Sequence, residues 1–347
     1  MNDTQEDNGG TNLKIIKKAA KPLCFFGALL VCLLVISSGD KMVDDRASVT
    51  EKDVTRDAVR VVSDMDSRIN ARIFNLPKVH VLPMDFEPSP KPDSAKFTED
   101  TYEDETISVR CWHEQIQITK KRTVTANFAD ITIAHPTQLR TALSNGKFGV
   151  VRRVYGSKMA EMNNAVIAIN GDYYNFRPQG VIVRQGRVFR TDPMDIDGLF
   201  INADGEFVVM NDKKAVTSGF VEKNQLYQAF AFGPVLVKDG EPIQKQNQYD
   251  SVECDQRAKC PRTAIGQLGK LHYLLCTIDG RSNVSAGLTT NELAVVMADK
   301  KCITAYNLDG GQSSVMIFNN GVYNVVSGGG ERNLSDIIYF ATALPES

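Results

Sequence analysis

Apolar residues recur along this chain in two different rhythms. Between Thr50 and Phe74, the positions Val54, Ala58, Val61, Met65, Ile69 and Ile73 return at spacings of three and four. That period predicts one amphipathic helix with a charged opposite face. From Ile107 onward the helical period gives way to short apolar or alternating runs. Ile107 to Ile118 and Thr123 to Ile133 read as strands, and His135-Pro136 breaks the second. Short helices are predicted over Gln138 to Leu143 and over Ser157 to Asn163, and the run A-V-I-A-I-N then reads as a buried strand ending at Asn170. Further strands are predicted at Val181 to Val183, Arg187 to Arg190, Leu199 to Ile201, Phe207 to Met210 and Phe230 to Val237. Turns separate them at Ala203-Asp204-Gly205 and Lys238-Asp239-Gly240. After Pro261 come two more strands and then a helix capped by Thr289 or Thr290, with Leu293, Val296 and Met297 facing inward. An apolar run from Cys302 to Leu308 and a last strand from Ile337 to Thr342 complete the pattern.

The N-terminal third is built differently. Lys14, Lys17, Lys18 and Lys21 precede an uncharged run from Pro22 to Ser38, at the short end of the roughly 20 residues a spanning helix needs. A cleaved signal peptide competes with this reading, because Ser37, Ser38 and Gly39 offer small residues to a peptidase. The long polar leader favours an uncleaved anchor. Lysines before the run and Asp40, Asp44 and Asp45 after it put the N-terminus in the cytoplasm. The expectation is a single-pass protein of the cell membrane: a basic leader at 1–21, an anchor at 22–38, a stalk helix at 39–75, a linker at 76–106 and an extracytoplasmic domain at 107–347. The linker is assigned because five prolines between Pro77 and Pro92 lead into the acidic run Glu99 to Glu105, a composition that buries little apolar surface.

Composition narrows the partners. A formal charge of −2 over 347 residues gives no reason to expect nucleic acid as a partner, which normally demands a basic face. Cys24 and Cys32 fall in the apolar run. Cys254 and Cys260 bracket a polar loop and suit a disulfide in an oxidising compartment, and Cys276 and Cys302 sit in apolar runs as core residues or a second pair. No C-x-x-C or His/Cys ligand spacing appears, so neither a metal nor a cofactor is expected. The four histidines are scattered.

Candidate chemistry lies where apolar runs stop. T-A-Y-N-L-D-G-G-Q-S-S delivers Asn307 and Asp309 to Gly310 and Gly311, followed by Ser313 and Ser314. Four other clusters behave alike: Asn170-Gly171-Asp172, the Pro261 to Gln267 stretch with Arg262, Asp279-Gly280-Arg281-Ser282, and the glycine-rich loop holding Glu331 and Arg332. Glu292 falls in the first turn of the Thr290 helix, where a carboxylate serves equally as a cap partner. Carboxylates and arginine forks together suit a phosphorylated sugar, since paired carboxylates cleave glycosidic bonds and guanidinium groups bind phosphate. The same residues allow a non-catalytic binder of anionic wall polysaccharide, or a metal-dependent phosphodiesterase.

The ordered set A-I-N-G-D-Y-Y, F-G-P-V-L-V-K-D-G, P-R-T-A-I-G, I-D-G-R-S, G-L-T-T-N-E-L-A and N-L-D-G-G-Q-S-S, running from about Asn127 to Thr342, resembles the phosphodiester glycosidase family. The resemblance implies an α+β domain of mixed β-sheets with flanking helices. It also implies hydrolysis of a sugar C1–O bond next to a phosphodiester, in cell-wall or exopolysaccharide metabolism. Among the positions that match the family's motifs, Glu292 with Asp309 or Asp279 is expected to form the acid/base or nucleophile pair. Asn170, Gly171, Asp172, Arg262, Arg281, Asn307, Gly310, Gly311, Ser313 and Arg332 are then the substrate-binding set. This chain has Gln312 where the family commonly has a third glycine, and Asp172-Tyr173-Tyr174 where it often has Gly-Phe-Phe.

Overall fold

The computed structural model describes residues 79–149, 154–244 and 257–344. The anchor at 22–38 and the stalk helix at 39–75 lie outside the described residues. Among the described residues no helix is long and apolar enough to cross a membrane. The chain divides into two compact units, and the second, Ala71–Ser347, holds everything described.

In chain order the strands are β1 Thr101–Glu103, β2 Ile107–Thr119, β3 Arg122–Ile133, β4 Leu139–Leu143 and β5 Val154–Tyr155. Helix α1 Gly156–Met162 leads to β6 Ile167–Asn170, β7 Ile182–Arg184, β8 Arg187–Arg190, β9 Asp197–Asn202 and β10 Phe207–Asn211. Helices α2 Asp212–Thr217 and α3 Phe220–Lys223 precede β11 Leu226–Phe230, β12 Val235–Lys238, β13 Glu241–Pro242, β14 Arg262–Gly269 and β15 His272–Ile278. Helix α4 Thr290–Asp299 is followed by β16 Thr304–Leu308, β17 Met316–Phe318, β18 Gly321–Val322, β19 Asn333–Leu334 and β20 Asp336–Phe340. The result is a sheet-dominated fold with few helices.

An eight-stranded sheet in the order β1-β2-β3-β15-β14-β16-β12-β13 is the backbone of the domain. Two five-stranded sheets, β10-β9-β11-β7-β8 and β18-β17-β6-β20-β4, and a β19-β5 pair complete it. All of their pairings are antiparallel. One face of the large sheet packs its alternate side chains, among them Ile131, Ile265, Tyr273 and Tyr306, against Ile167, Ile169 and Ile338 of the β18-β17-β6-β20-β4 sheet and Leu199 and Ile201 of the β10-β9-β11-β7-β8 sheet. The other face buries Phe128, Ala264, Cys276 and Ala305 under Leu293, Val296 and Met297 of α4. A side-chain period of two therefore feeds two separate cores from one sheet.

Three expectations need correction. Leu139 to Leu143 form a strand, not the helix predicted over Gln138 to Leu143. All five are buried, and they pair with β20 from Leu143 opposite Asp336 to Leu139 opposite Phe340, so tertiary pairing overrides the helix-compatible composition. The Phe230 to Val237 run divides between β11 and β12, strands of different sheets, with a cis Gly233–Pro234 bond between them. The segment 79–106 is not a detached tether, and the folded unit begins well before Ile107. Val79 and Leu82 are buried, Tyr102 is buried in β1, and Phe97 lies 4.5 Å from Tyr102 and 5.4 Å from Phe318, centroid to centroid. Arg140 also ties this segment down, donating to the carbonyls of Pro83 and Asp85. A few well-spaced apolar side chains anchor a segment whose overall composition is that of a linker. Cys111, Cys276 and Cys302 are free buried thiols, and Cys260 is disulfide-bonded, with Cys254 outside the described residues.

Candidate functional site

Three neighbouring strands of the large sheet reach the same edge, and their ends bring the sequence clusters together. β14 runs between β15 and β16, with Arg262 opposite Ile278 and Thr263 opposite Leu308. Asp279 leaves β15 on one side of Pro261 and Asp309 leaves β16 on the other. The glycine after each aspartate packs on Pro261. A Cβ on Gly280 would stand 2.7 Å from the Pro261 nitrogen, and one on Gly310 would stand 2.8 Å from its carbonyl oxygen. Gly311 has φ +64° and donates to the Pro261 carbonyl at 3.0 Å. These glycines let three strand ends close on one another.

Asp309 is the focus of this edge. Its carboxylate accepts the Gly310 N–H at 2.9 Å and a bond from Ser313, and it feels the guanidinium groups of Arg332 and Arg177. Burial dominates these charge-stabilising contacts and raises its pKa to about 6. Arg281, itself at φ +56°, lays its guanidinium against Gly311, 3.3 Å from where a Cβ would sit. The loop carrying Arg332 stands over the same turn: Gln312 donates to the Gly330 carbonyl at 3.3 Å, and Glu331 is taken up by the backbone and hydroxyl of Ser157.

The second carboxylate, Asp279, is buried and held by amides. It accepts the Asn127 amide at 2.8 Å, the backbone N–H of Val325 and the side chain of Asn324. Burial still holds its pKa above the usual carboxylate range. The two aspartates follow the strands that flank β14 on either side.

Several expected site residues are spent on structure. Asn170 donates to the Asp309 carbonyl at 2.7 Å and accepts from Thr263 and from the Val315 N–H, so it staples two sheets beneath the site. Gly171 is required by Asp336, whose Oδ1 would lie 2.4 Å from a Cβ there. Asp172 turns inward: it accepts the N–H groups of Tyr173 at 2.6 Å and Ala231 at 2.9 Å and lies 3.6 Å from Arg184, both side chains fully buried. Arg262 is also buried and donates to the carbonyls of Leu288 and Ala258 at 2.9 and 2.7 Å. Glu292 closes a capping box with Thr289, accepting its N–H at 2.9 Å, and pairs with Arg122. Asn307 donates to the Gly233 carbonyl at 2.8 Å, while its Oδ1 and the Ser314 hydroxyl are buried with no hydrogen-bond partner.

Three contributors escaped the sequence reading. Arg177 follows the Asn170-Gly171-Asp172 cluster by five positions. It bonds the carbonyls of Ala231 and Phe232 at 3.3 and 3.2 Å and stacks 4.7 Å over Phe232. Beside it, Tyr173 and Phe176 stack at 4.3 Å. Asp336 pairs with Arg184 at 2.8 Å, and burial raises its pKa to about 6. Asn127 sits inside an alternating strand, where nothing local distinguishes it from a solvent-facing polar position.

The family model for phosphodiester glycosidase matches residues 163–341, more than half of the chain and all the motif clusters described here. The chain belongs to the phosphodiester glycosidase family. Among individual relatives, the SPbeta prophage-derived uncharacterized protein YomE of Bacillus subtilis (strain 168) is 30% identical over 198 residues, 55% of this chain. This chain spans 30% of that relative's length. The catalytic domain of zebrafish N-acetylglucosamine-1-phosphodiester alpha-N-acetylglucosaminidase, auto-inhibited by its pro-peptide, superposes with a TM-score of 0.57 at 18% identity, covering 74% of this chain and 87% of that one. A hypothetical protein from Synechocystis aligns over 69% of this chain and 63% of its own with a TM-score of 0.48 at 13% identity. For this phosphodiester glycosidase family member, the zebrafish likeness establishes a shared fold.

Proposed function

We propose that this chain hydrolyses the C1–O bond of a sugar-1-phosphodiester, releasing free sugar and a phosphomonoester. The observation that carries the reading is Asp309, a carboxylate raised to about 6 at the end of a buried strand and faced by Arg332 and Arg177. A group with that pKa is mostly anionic at neutral pH and close enough to it to exchange a proton, as acid–base work requires. The guanidinium groups of Arg177, Arg281 and Arg332 take the phosphate and stabilise the charge that grows on it as the C1–O bond breaks. A phosphodiester is already a good leaving group, so little protonation of it is needed.

Asp309 faces the anomeric carbon, and Asp279 serves as the second carboxylate across Pro261. A water held between the two carboxylates would make them an inverting pair. Glu292 is given no part in the chemistry, because its carboxylate caps α4 and pairs with Arg122. We further propose that the activity is extracytoplasmic and directed at a wall or exopolysaccharide phosphodiester. What supports this is the lysine-flanked apolar run Pro22 to Ser38 and the disulfide at Cys260.

Because the zebrafish enzyme that shares this fold is named for an N-acetylglucosamine-1-phosphodiester, that class of substrate is the first to test. The protein is incubated with N-acetylglucosamine and teichoic-acid-like phosphodiesters, with and without chelator. Free sugar and phosphomonoester support the proposal. Intact phosphosugar and alcohol, or turnover abolished by chelator, support a phosphodiesterase. Tight binding without turnover supports a binder.

A further inference from the structure

His113 lies outside the residues the family model matches, in a strand whose alternation marks it as surface. It is nevertheless wired to the candidate site. His113 Nδ1 lies 2.7 Å from Asn127 Oδ1, and Asn127 Nδ2 lies 2.8 Å from Asp279 Oδ1. The chain of bonds has one consistent direction. Asp279, as an anion, only accepts, so Asn127 donates to it. The Asn127 oxygen must then accept, so His113 carries its proton on Nδ1. The same Asn127 amide reaches the carbonyl and hydroxyl of Thr277, which fixes its rotamer.

The His113 ring is fixed as well. It stacks on Tyr323 at 4.3 Å with an interplanar angle of 8°, and the Tyr323 hydroxyl donates to Asp100 at 2.7 Å. The titratable groups facing His113 are therefore Tyr323 directly, Asp100 beyond its hydroxyl, and Asp279 across Asn127. Asn127 is buried and His113 exposed, so a surface imidazole is connected by two hydrogen bonds to a buried carboxylate. Holding a histidine, an asparagine and an aspartate in line, each by a separate packing contact, exceeds what closing a strand end requires.

We infer that His113 and Asn127 are positioning residues for Asp279: they aim its carboxylate and hold it anionic for the reaction across Pro261. The inference rests on the proposed role of Asp279. Removing the His113 donor leaves the Asn127 oxygen without that partner, weakens the bond that favours the Asp279 anion, and raises the Asp279 pKa further. Whichever limb of the pH–rate profile belongs to Asp279 then moves to higher pH.

The test follows the Asp279 carboxyl carbon by NMR in the full chain labelled at aspartate, assigned with Asp279→Asn, alongside the pH–rate profile on a sugar-1-phosphodiester. In His113→Ala the Asp279 titration should move up by about one pH unit. The accompanying kcat should fall about tenfold, the scale of one hydrogen bond to a charged group, at unchanged KM. His113→Gln, whose amide can donate the same bond, should restore both. A merely structural role would lower the thermal midpoint while leaving the titration in place. An Asp279 titration unmoved in His113→Ala and in Asn127→Leu overturns the relay, even if the wild type is active. A wild type that turns over no sugar phosphodiester overturns the reading of the site instead, even if the titration moves.

Discussion

Asp309→Asn should make the protein more stable and inactive at once. Burial lifts the carboxyl from 3.8 to about 6, and at 1.36 kcal/mol per pH unit the ionised form costs the fold about 3 kcal/mol. The sign follows from the raised value. The unfolded chain gives up its proton near 3.8, whereas the folded chain holds it until about 6. The folded protein therefore loses relative stability as pH rises through that window, and the full cost is present above it. Asparagine removes the ionisation while keeping one acceptor for the Gly310 N–H. Allowing for the bond from Ser313 and the nearby guanidinium groups, a gain of about 1–3 kcal/mol at pH 7.5 is expected. For a domain of this size that is a rise in Tm of several degrees. Below pH 4 the variant and the wild type should melt together. Turnover should fall by at least about a thousandfold. Differential scanning calorimetry across pH 3.5 to 8, with product release measured in the same buffers, checks both outcomes. A variant that melts lower than wild type at pH 7.5, or one that keeps more than about a tenth of the activity, refutes the placement of Asp309 as a destabilised, working carboxylate.

Further expectations concern the neighbours. Glu292→Gln should keep kcat within a few-fold and lose about 1 kcal/mol from the α4 cap and the Arg122 pair, measured by denaturant unfolding beside steady-state kinetics. Arg177→Ala should raise KM for the phosphodiester more than tenfold with little change in Tm, since its backbone bonds are long. Arg262→Ala should instead lower Tm, because its guanidinium ties Ala258 and Leu288 together. Arg184→Met should cost about 3–5 kcal/mol in urea, for it leaves Asp172 and Asp336 buried and uncompensated. If Asp279 and Asp309 act across a water, the anomeric configuration of the first-formed sugar should be inverted, as read by NMR during early turnover.

Much of the site was legible from strand ends alone. Aspartate followed by glycine at the end of an apolar run marks a strand stopping at a tight turn, and both Asp279-Gly280 and Asp309-Gly310 proved to be that. Glycine requirements were legible in kind but not in cause: Gly171 accommodates Asp336 and Gly310 accommodates Pro261, contacts between distant segments that no local pattern encodes. Charged residues were the least legible. Asp172, Arg262 and Glu292 carry the right chemistry, but the fold turns the first two into buried ties and makes the third a cap. Arg177 carries no local signal, because its neighbours in space, Ala231 and Phe232, belong to another segment. β4 failed for a related reason, since its strand identity comes from β20 at the far end of the chain. The segment at 79–106 misled because composition averages over residues, whereas Val79, Leu82, Phe97 and Tyr102 anchor it one at a time.

The central claim is which bond breaks. Hydrolysis of a sugar-1-phosphodiester by the intact protein in ¹⁸O-labelled water, with both products analysed by mass spectrometry, decides it. The account predicts one labelled oxygen on the anomeric carbon of the released sugar and none in the phosphomonoester. Label in the phosphate would mean attack at phosphorus and would contradict it.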